Sequence, residues 1–218
     1  MLASPVLYYI TDRSQLAGDD STRRSRLLEK IRETAAEGVD FIQLREKDLT
    51  GRQLEELGRA AMDAIGSATG TRLLINSRTD VALAVGAHGV NLRSDDVPVS
   101  AVRELWSTAH ARNSKLETRN WISISCHTDQ DVQAAESEGA DFALFAPVFE
   151  KRDAPGVQAI GIGELRRACL HRIPVLVLGG VTIQNARECM DAGAAGIAGI
   201  RLFQENSVAE VARKLRTL

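Results

Sequence analysis

Two rhythms of apolar positions alternate along the chain. Short β-rich runs fall at residues 6–10, 41–44, 73–75, 90–92, 121–125, 142–145, 175–178 and 196–200, and runs of this length bounded by turn residues predict strands. Between them the apolar positions move to helical spacing. Residues 23–37 carry Leu27, Leu28, Ile31 and Ala35 on one stripe, and residues 53–65 carry Leu54, Leu57, Ala61 and Ile65 likewise, the pattern of helices laid on a core. Further helices are predicted at 78–85, 100–107, 130–137, 162–169, 182–192 and 208–215, punctuated by Gly at their ends and by Ser, Thr or Asp at their starts.

Strand and helix therefore alternate throughout, and the alternation has a longer period. A helix ends at Gly and a strand follows at Glu37-Gly38-Val39-Asp40, Val85-Gly86-Ala87-His88, Glu138-Gly139-Ala140-Asp141 and Ala192-Gly193-Ala194-Ala195. These echoes recur at roughly fifty residues, about two strand–helix units, as in a barrel of repeated units. No Pro/Gly/Ser-rich linker interrupts them; the longest irregular stretches are 16–21, 109–120 and 150–160. The pattern predicts one domain over residues 1–218, an α/β fold of the (β/α)8 TIM-barrel type, with a doubly wound open sheet as the alternative.

Composition narrows the partners. The 218 residues carry a formal charge of −2 with both signs interspersed, so no bulk basic field points to nucleic acid or a membrane surface. Cys126, Cys169 and Cys189 have no ligand spacing, which argues against a disulfide framework or structural zinc. The N-terminus lacks a basic segment followed by a long apolar one, and no apolar run approaches the ~20 residues of a membrane span. A cytoplasmic protein acting on small molecules is expected, with room for a homo-oligomer.

In a barrel the reactive groups follow the strands. Residues 40–47 run Asp40-Phe41-Ile42-Gln43-Leu44-Arg45-Glu46-Lys47, and strand alternation puts Gln43, Arg45 and Lys47 on one side. An amide and two cations converging at a strand end suit phosphate or pyrophosphate; a solvated charge run is the competing explanation. Gly179-Gly180-Val181-Thr182 follows the seventh strand and Arg201 the eighth, the pair of loops that commonly holds phosphate in this architecture. Asp95 and Asp96 after strand four suggest Mg2+ or, alternatively, a helix cap. In Ser125-Cys126-His127-Thr128, Ser125 reads as a hydrogen-bond donor, Thr128 as a cap, and His127 as an orienting group rather than a catalytic one.

Taken in order, Tyr9-Ile10-Thr11-Asp12, Gln43-Leu44-Arg45-Glu46-Lys47, Leu74-Ile75-Asn76, residues 89–96, Ser125-Cys126-His127-Thr128, Gly139-Ala140-Asp141-Phe142, Pro147-Val148-Phe149 and Gly179-Gly180-Val181-Thr182 resemble the thiamine phosphate synthase family and its relatives, the TenI-like thiazole tautomerases. The resemblance implies a Mg2+-dependent transferase on a (β/α)8 barrel. It would join hydroxymethylpyrimidine diphosphate to thiazole phosphate, giving thiamine phosphate and pyrophosphate. By motif, Gln43, Arg45, Lys47 and Asn76 would hold the pyrimidine diphosphate, Ser125 would line the pyrimidine site, and Asp96 would ligate Mg2+. Gly180, Ile200 and Arg201 would hold the thiazole phosphate. Arg45, Lys47 and Lys151 would act on the departing diphosphate.

Three positions depart from the synthase pattern. Ser77 stands where a second metal carboxylate is expected, which leaves Asp95 to substitute. Glu150-Lys151-Arg152-Asp153 replaces a Thr-x-Thr-Lys loop, with Lys151 for the lost lysine, and Arg201 replaces a Ser. The tautomerase branch places a histidine where this chain has Pro147. The alternatives are therefore a thiazole tautomerase and a non-catalytic binder of thiazole or phosphate ligands.

Overall fold

The computed structural model describes residues 4–112, 120–150 and 156–218. Strands β1 (Val6–Ile10), β2 (Phe41–Leu44), β3 (Arg72–Asn76), β4 (Gly89–Leu92), β5 (Trp121–Cys126), β6 (Phe142–Phe145), β7 (Val175–Val177) and β8 (Gly196–Gly199) pair in chain order. Every pairing is parallel, and β1 closes on β8 through Val6 opposite Gly196 and Tyr8 opposite Ala198. The closed (β/α)8 barrel replaces the alternative of an open sheet.

The period of two along each strand builds two cores. Outward-facing Leu7, Tyr9, Ile42, Leu44, Leu73 and Ile75 pack beneath Leu27 and Ile31 of α1 (Asp20–Ala36) and Leu54, Leu57 and Ala61 of α2 (Gly51–Ile65). Inward-facing Val6, Tyr8, Ile10, Phe41, Leu74, Phe142, Leu144, Leu176 and Ala198 fill the barrel. At its lower end the rings of Trp121 and Phe142 stack at 5.5 Å, and Phe41 meets both edge-on. The interior is thus plugged below, leaving the C-terminal strand ends as its open mouth.

The remaining helices are α3 (Thr79–Val85), α4 (Val99–Arg112), α5 (Asp129–Glu138), α6 (Ile162–Ala168), α7 (Ala186–Asp191), α8 (Arg201–Gln204) and α9 (Val208–Leu215). Helix α8 has no counterpart in the sequence expectation, α2 starts two residues earlier than predicted, and three other helices depart from it by three residues or more at one end. α1 starts three residues earlier than predicted, because Asp19 caps it by accepting from the Thr22 N–H at 2.8 Å. α4 continues five residues past 107, through a stretch expected to be irregular. α7 starts at Ala186 rather than Thr182: Thr182 and Asn185 exchange side-chain-to-backbone hydrogen bonds of 2.7 and 3.3 Å that hold residues 182–185 in a turn. No helix among the described residues is long and apolar enough to cross a membrane.

Candidate active site

The strand ends open into a cavity of about 1320 Å³, lined among others by Gln43, Arg45, Lys47, Asn76, Asp95, Ser125, Gly180, Ile200 and Arg201. The fold thus gathers almost every residue singled out above around one space. It is larger than the ~300–1,000 Å³ typical for a single small ligand. Lys151 lies outside the described residues. Asp96 sits one layer back, in a smaller depression against α5.

The cavity floor is a hydrogen-bonded sheet of amides and hydroxyls contributed by β1 to β5. Gln43 Nε2 donates to Asn76 Oδ1 at 2.8 Å, and the Tyr8 hydroxyl donates to Gln43 Oε1 at 3.2 Å. Asn91 Nδ2 reaches both Asn76 Oδ1 (3.4 Å) and Ser125 Oγ (3.3 Å), while Ser123 Oγ donates to Asn91 Oδ1 at 2.9 Å. Strand alternation explains the grouping: Asn76 pairs in register with Asn91, and Asn91 with Ser123. Burial pushes the Tyr8 hydroxyl well above its ordinary pKa, so it remains a neutral donor. Opposite this polar half the cavity is walled by Ile10, Leu144, Leu178, Ala198 and Ile200.

Tyr8, Asn91 and Ser123 were not among the candidates. Their signal was the same alternation that exposed Gln43, since each is a polar-tipped side chain on the inward face of an apolar strand.

Arg45 is half-buried and Lys47 exposed at the mouth. Among the described residues neither side-chain cation has a hydrogen-bond or ion-pair partner. The intervening Glu46 points the opposite way and is buried. Arg78 and Arg93 also line the mouth, but Arg78 is held by both oxygens of Asp80 at 2.8 and 2.6 Å.

Asp95 and Asp96 do not cap a helix; α4 begins later, at Val99. Asp96 Oδ2 accepts from Ser77 Oγ at 2.7 Å and from the Arg93 N–H at 2.8 Å, and Asp95 is exposed and paired with the Arg93 guanidinium at 3.2 Å. No group of three or more metal-ligating side chains is found among the described residues. Mg2+ commonly takes only one or two carboxylates and fills its octahedron with water and substrate phosphate. Asp96, whose Oδ1 lies 3.9 Å from the Arg93 guanidinium, and Asp95 on the mouth, paired with the same guanidinium, are the carboxylates such a donor set would draw on.

Gly180 has φ +69°, and a Cβ there would stand 2.6 Å from the Glu150 carbonyl and 2.7 Å from Phe149 Cβ. Only glycine fits both the conformation and the space. Of the remaining candidates, His127 Nδ1 bonds the Ala146 carbonyl at 2.6 Å, the expected orienting arrangement. Thr128 caps α5 in a reciprocal box with Asp131. Cys126 is buried and its thiol is pushed up to about 12, so it supplies no thiolate at neutral pH.

Sequence comparison decides the kinship. A family model described as thiamine monophosphate synthase matches residues 7–203. The chain belongs to that family. It is 42% identical over 195 residues to a putative thiamine-phosphate synthase of Geobacter sulfurreducens, covering 88% of this chain and 83% of the relative. It is 35% identical to the thiamine-phosphate synthase of Syntrophomonas wolfei, covering 97% and 95%. Among solved structures, a thiamine phosphate pyrophosphorylase from Pyrococcus furiosus superposes with a TM-score of 0.75 at 28% identity, over 100% of this chain and 96% of that one. A 3-hexulose-6-phosphate synthase shares the fold alone, at 17% identity and a TM-score of 0.64.

Proposed function

We propose that the cavity joins hydroxymethylpyrimidine diphosphate to thiazole phosphate, forming thiamine phosphate and releasing pyrophosphate. The observation that carries this is the pair of cations without a partner among the described residues, Arg45 and Lys47, beside a hydrogen-bonded amide floor in a cavity large enough for two ligands. Two cations at one strand end offer an anion charge-assisted hydrogen bonds from the same side of the cavity.

The floor divides the recognition. Gln43 spends one N–H on Asn76 and one lone pair on Tyr8, which leaves it one donor and one acceptor for the edge of a heteroaromatic ring. Ser125 accepts from Asn91 and keeps its own hydrogen for the same ligand. The apolar wall covers the ring faces and excludes water from the reacting methylene.

The methylene C–O bond breaks with its electron pair leaving on the pyrophosphate. Arg45 and Lys47, joined by Lys151 if the family resemblance of its motif holds, take up the charge that develops there. The lone pair of the thiazole nitrogen then forms the new C–N bond, with the thiazole phosphate held by the Gly180 backbone, Ile200 and Arg201. Asp96 and Asp95 would hold Mg2+, which when bound supplies further charge neutralisation to the diphosphate. No cysteine or histidine is assigned a proton-transfer role.

Incubation with both substrates and Mg2+ tests the proposal. Thiamine phosphate should accumulate with pyrophosphate. Rearomatisation of a thiazole tautomer without coupling would select the isomerase instead, and ligand binding without turnover the non-catalytic binder.

A further inference from the structure

We propose that Thr11, Glu46 and Arg13 form a clamp behind the second strand that aims Arg45 and Lys47 at the diphosphate, making them positioning residues for a reaction they never touch. The inference rests on the reading of Arg45 and Lys47 as the diphosphate grip.

The strand end has two faces. Forward, Arg45 and Lys47 reach the cavity with no partners of their own among the described residues, so their aim is set by the backbone that carries them. Backward, that same backbone is pinned. The Arg45 N–H donates to Thr11 Oγ1 at 2.9 Å, and the Thr11 hydroxyl donates onward to Glu46 Oε1 at 2.6 Å. Glu46 also accepts the Arg13 backbone N–H through both its oxygens, at 3.2 and 3.1 Å.

Arg13 completes the clamp. Its Nη1 bonds Glu46 at 3.1 Å and Asp48 at 2.7 Å, its Nη2 bonds Asp48 at 2.8 Å and lies in ion-pair contact with Asp20 at 3.0 Å, and its Nε bonds Asp20 at 3.1 Å. Four of the five guanidinium donors are thus spent on three carboxylates, and the side chains of Arg13 and Glu46 are only 6% and 2% exposed. Burial raises the pKa of Glu46, and the bonds from Thr11 and Arg13 oppose that shift.

A buried ion cluster of this kind is weak evidence for stability, because desolvation offsets much of its attraction. Its geometry has another consequence: it immobilises residues 45 and 46 before the ligand arrives. Two mouth cations on a fixed backbone lose less freedom on binding than two on a mobile loop, which favours affinity for the anion between them.

The test is calorimetric binding of inorganic pyrophosphate with Mg2+, together with steady-state constants for each substrate. Thr11→Val keeps the shape and removes both hydroxyl bonds, and should weaken pyrophosphate about tenfold, a loss of ~1.4 kcal/mol in binding. Thr11→Ser restores the hydroxyl and should recover wild-type affinity to within about twofold. KM for the thiazole phosphate should not move.

Wild-type pyrophosphate affinity in Thr11→Val would overturn the clamp, as would equal loss of both substrates, the mark of a merely structural role. Absence of pyrophosphate binding by the wild-type protein would also overturn it. If Thr11→Val does not fold, Glu46→Gln decides in its place: weaker pyrophosphate binding with an unchanged thiazole phosphate KM supports the clamp, and unchanged pyrophosphate binding refutes it. The first readout uses pyrophosphate alone. A protein that binds it without making thiamine phosphate therefore contradicts the proposed reaction, while the variants still decide the clamp.

Discussion

Arg45 shows how one residue's surroundings divide its work. Its backbone is bonded to Thr11 at 2.9 Å, while its guanidinium has no partner among the described residues and is proposed to hold the diphosphate. Arg45→Ala should therefore weaken the diphosphate substrate by about 2–3 kcal/mol, the scale of a charge-assisted contact, with little change in thermal stability. Equal KM in variant and wild type would remove Arg45 from the site. Gly180 makes the opposite prediction, because it has no side chain to lose. Alanine there meets the Glu150 carbonyl at 2.6 Å and keeps φ at +69°, so Gly180→Ala should cost on the order of 1–3 kcal/mol through backbone strain. It should also raise KM for the thiazole phosphate more than for the diphosphate, and steady-state kinetics with each substrate varied in turn reads both effects. At this scale the forward face of the second strand was legible, since Gln43, Arg45 and Lys47 follow from a period of two. The backward face was not: Glu46 looks like one more surface charge until Arg13, 33 residues earlier, is brought against it.

Elements were legible where apolar spacing or caps decide them. Residues 41–44 and 142–145 form strands with the expected limits because both ends are set by polar or turn residues. The α7 start was misplaced because Thr182 and Asn185 satisfy the backbone locally, as a cap would, without opening a helix at once. Ser77 was singled out by its identity, but its conformation lay beyond sequence reasoning for a related cause. Its φ of +57° and its bond to Asp96 are products of the β3–β4 junction, where its N–H donates to the Asn91 carbonyl at 2.7 Å. Thr128 offers the simplest test of an element. It holds the start of α5 through a capping box with Asp131, so Thr128→Ala should lower unfolding free energy by about 1 kcal/mol in urea titration. An unchanged midpoint would mean that α5 is held by packing alone.

The molecule as a whole is a barrel with one polar and one apolar half around a plugged interior. Its titration behaviour follows from how much of it is buried. Burial raises the thiols of Cys126 and Cys189 to about 12 and that of Cys169 to about 11 from an ordinary 9.0. The hydroxyls of Tyr8 and Tyr9 move in the same direction. Above the unfolded thiol value the unfolded chain has released protons that the folded one retains. Stability should therefore be full below about pH 8.5 and fall as pH rises from 9 toward 12. Urea midpoints across that range check it, and a midpoint that climbs with pH would contradict the buried-thiol description.

The division of the cavity carries the central claim, that two different ligands meet there and one pyrophosphate leaves per bond made. Simultaneous measurement of thiamine phosphate and pyrophosphate with wild-type protein, Mg2+ and both substrates tests it most directly. The two products should appear in equal amounts, and neither should appear when the thiazole phosphate is omitted. Pyrophosphate released at the same rate without thiazole phosphate, or no product with both substrates present, would contradict it.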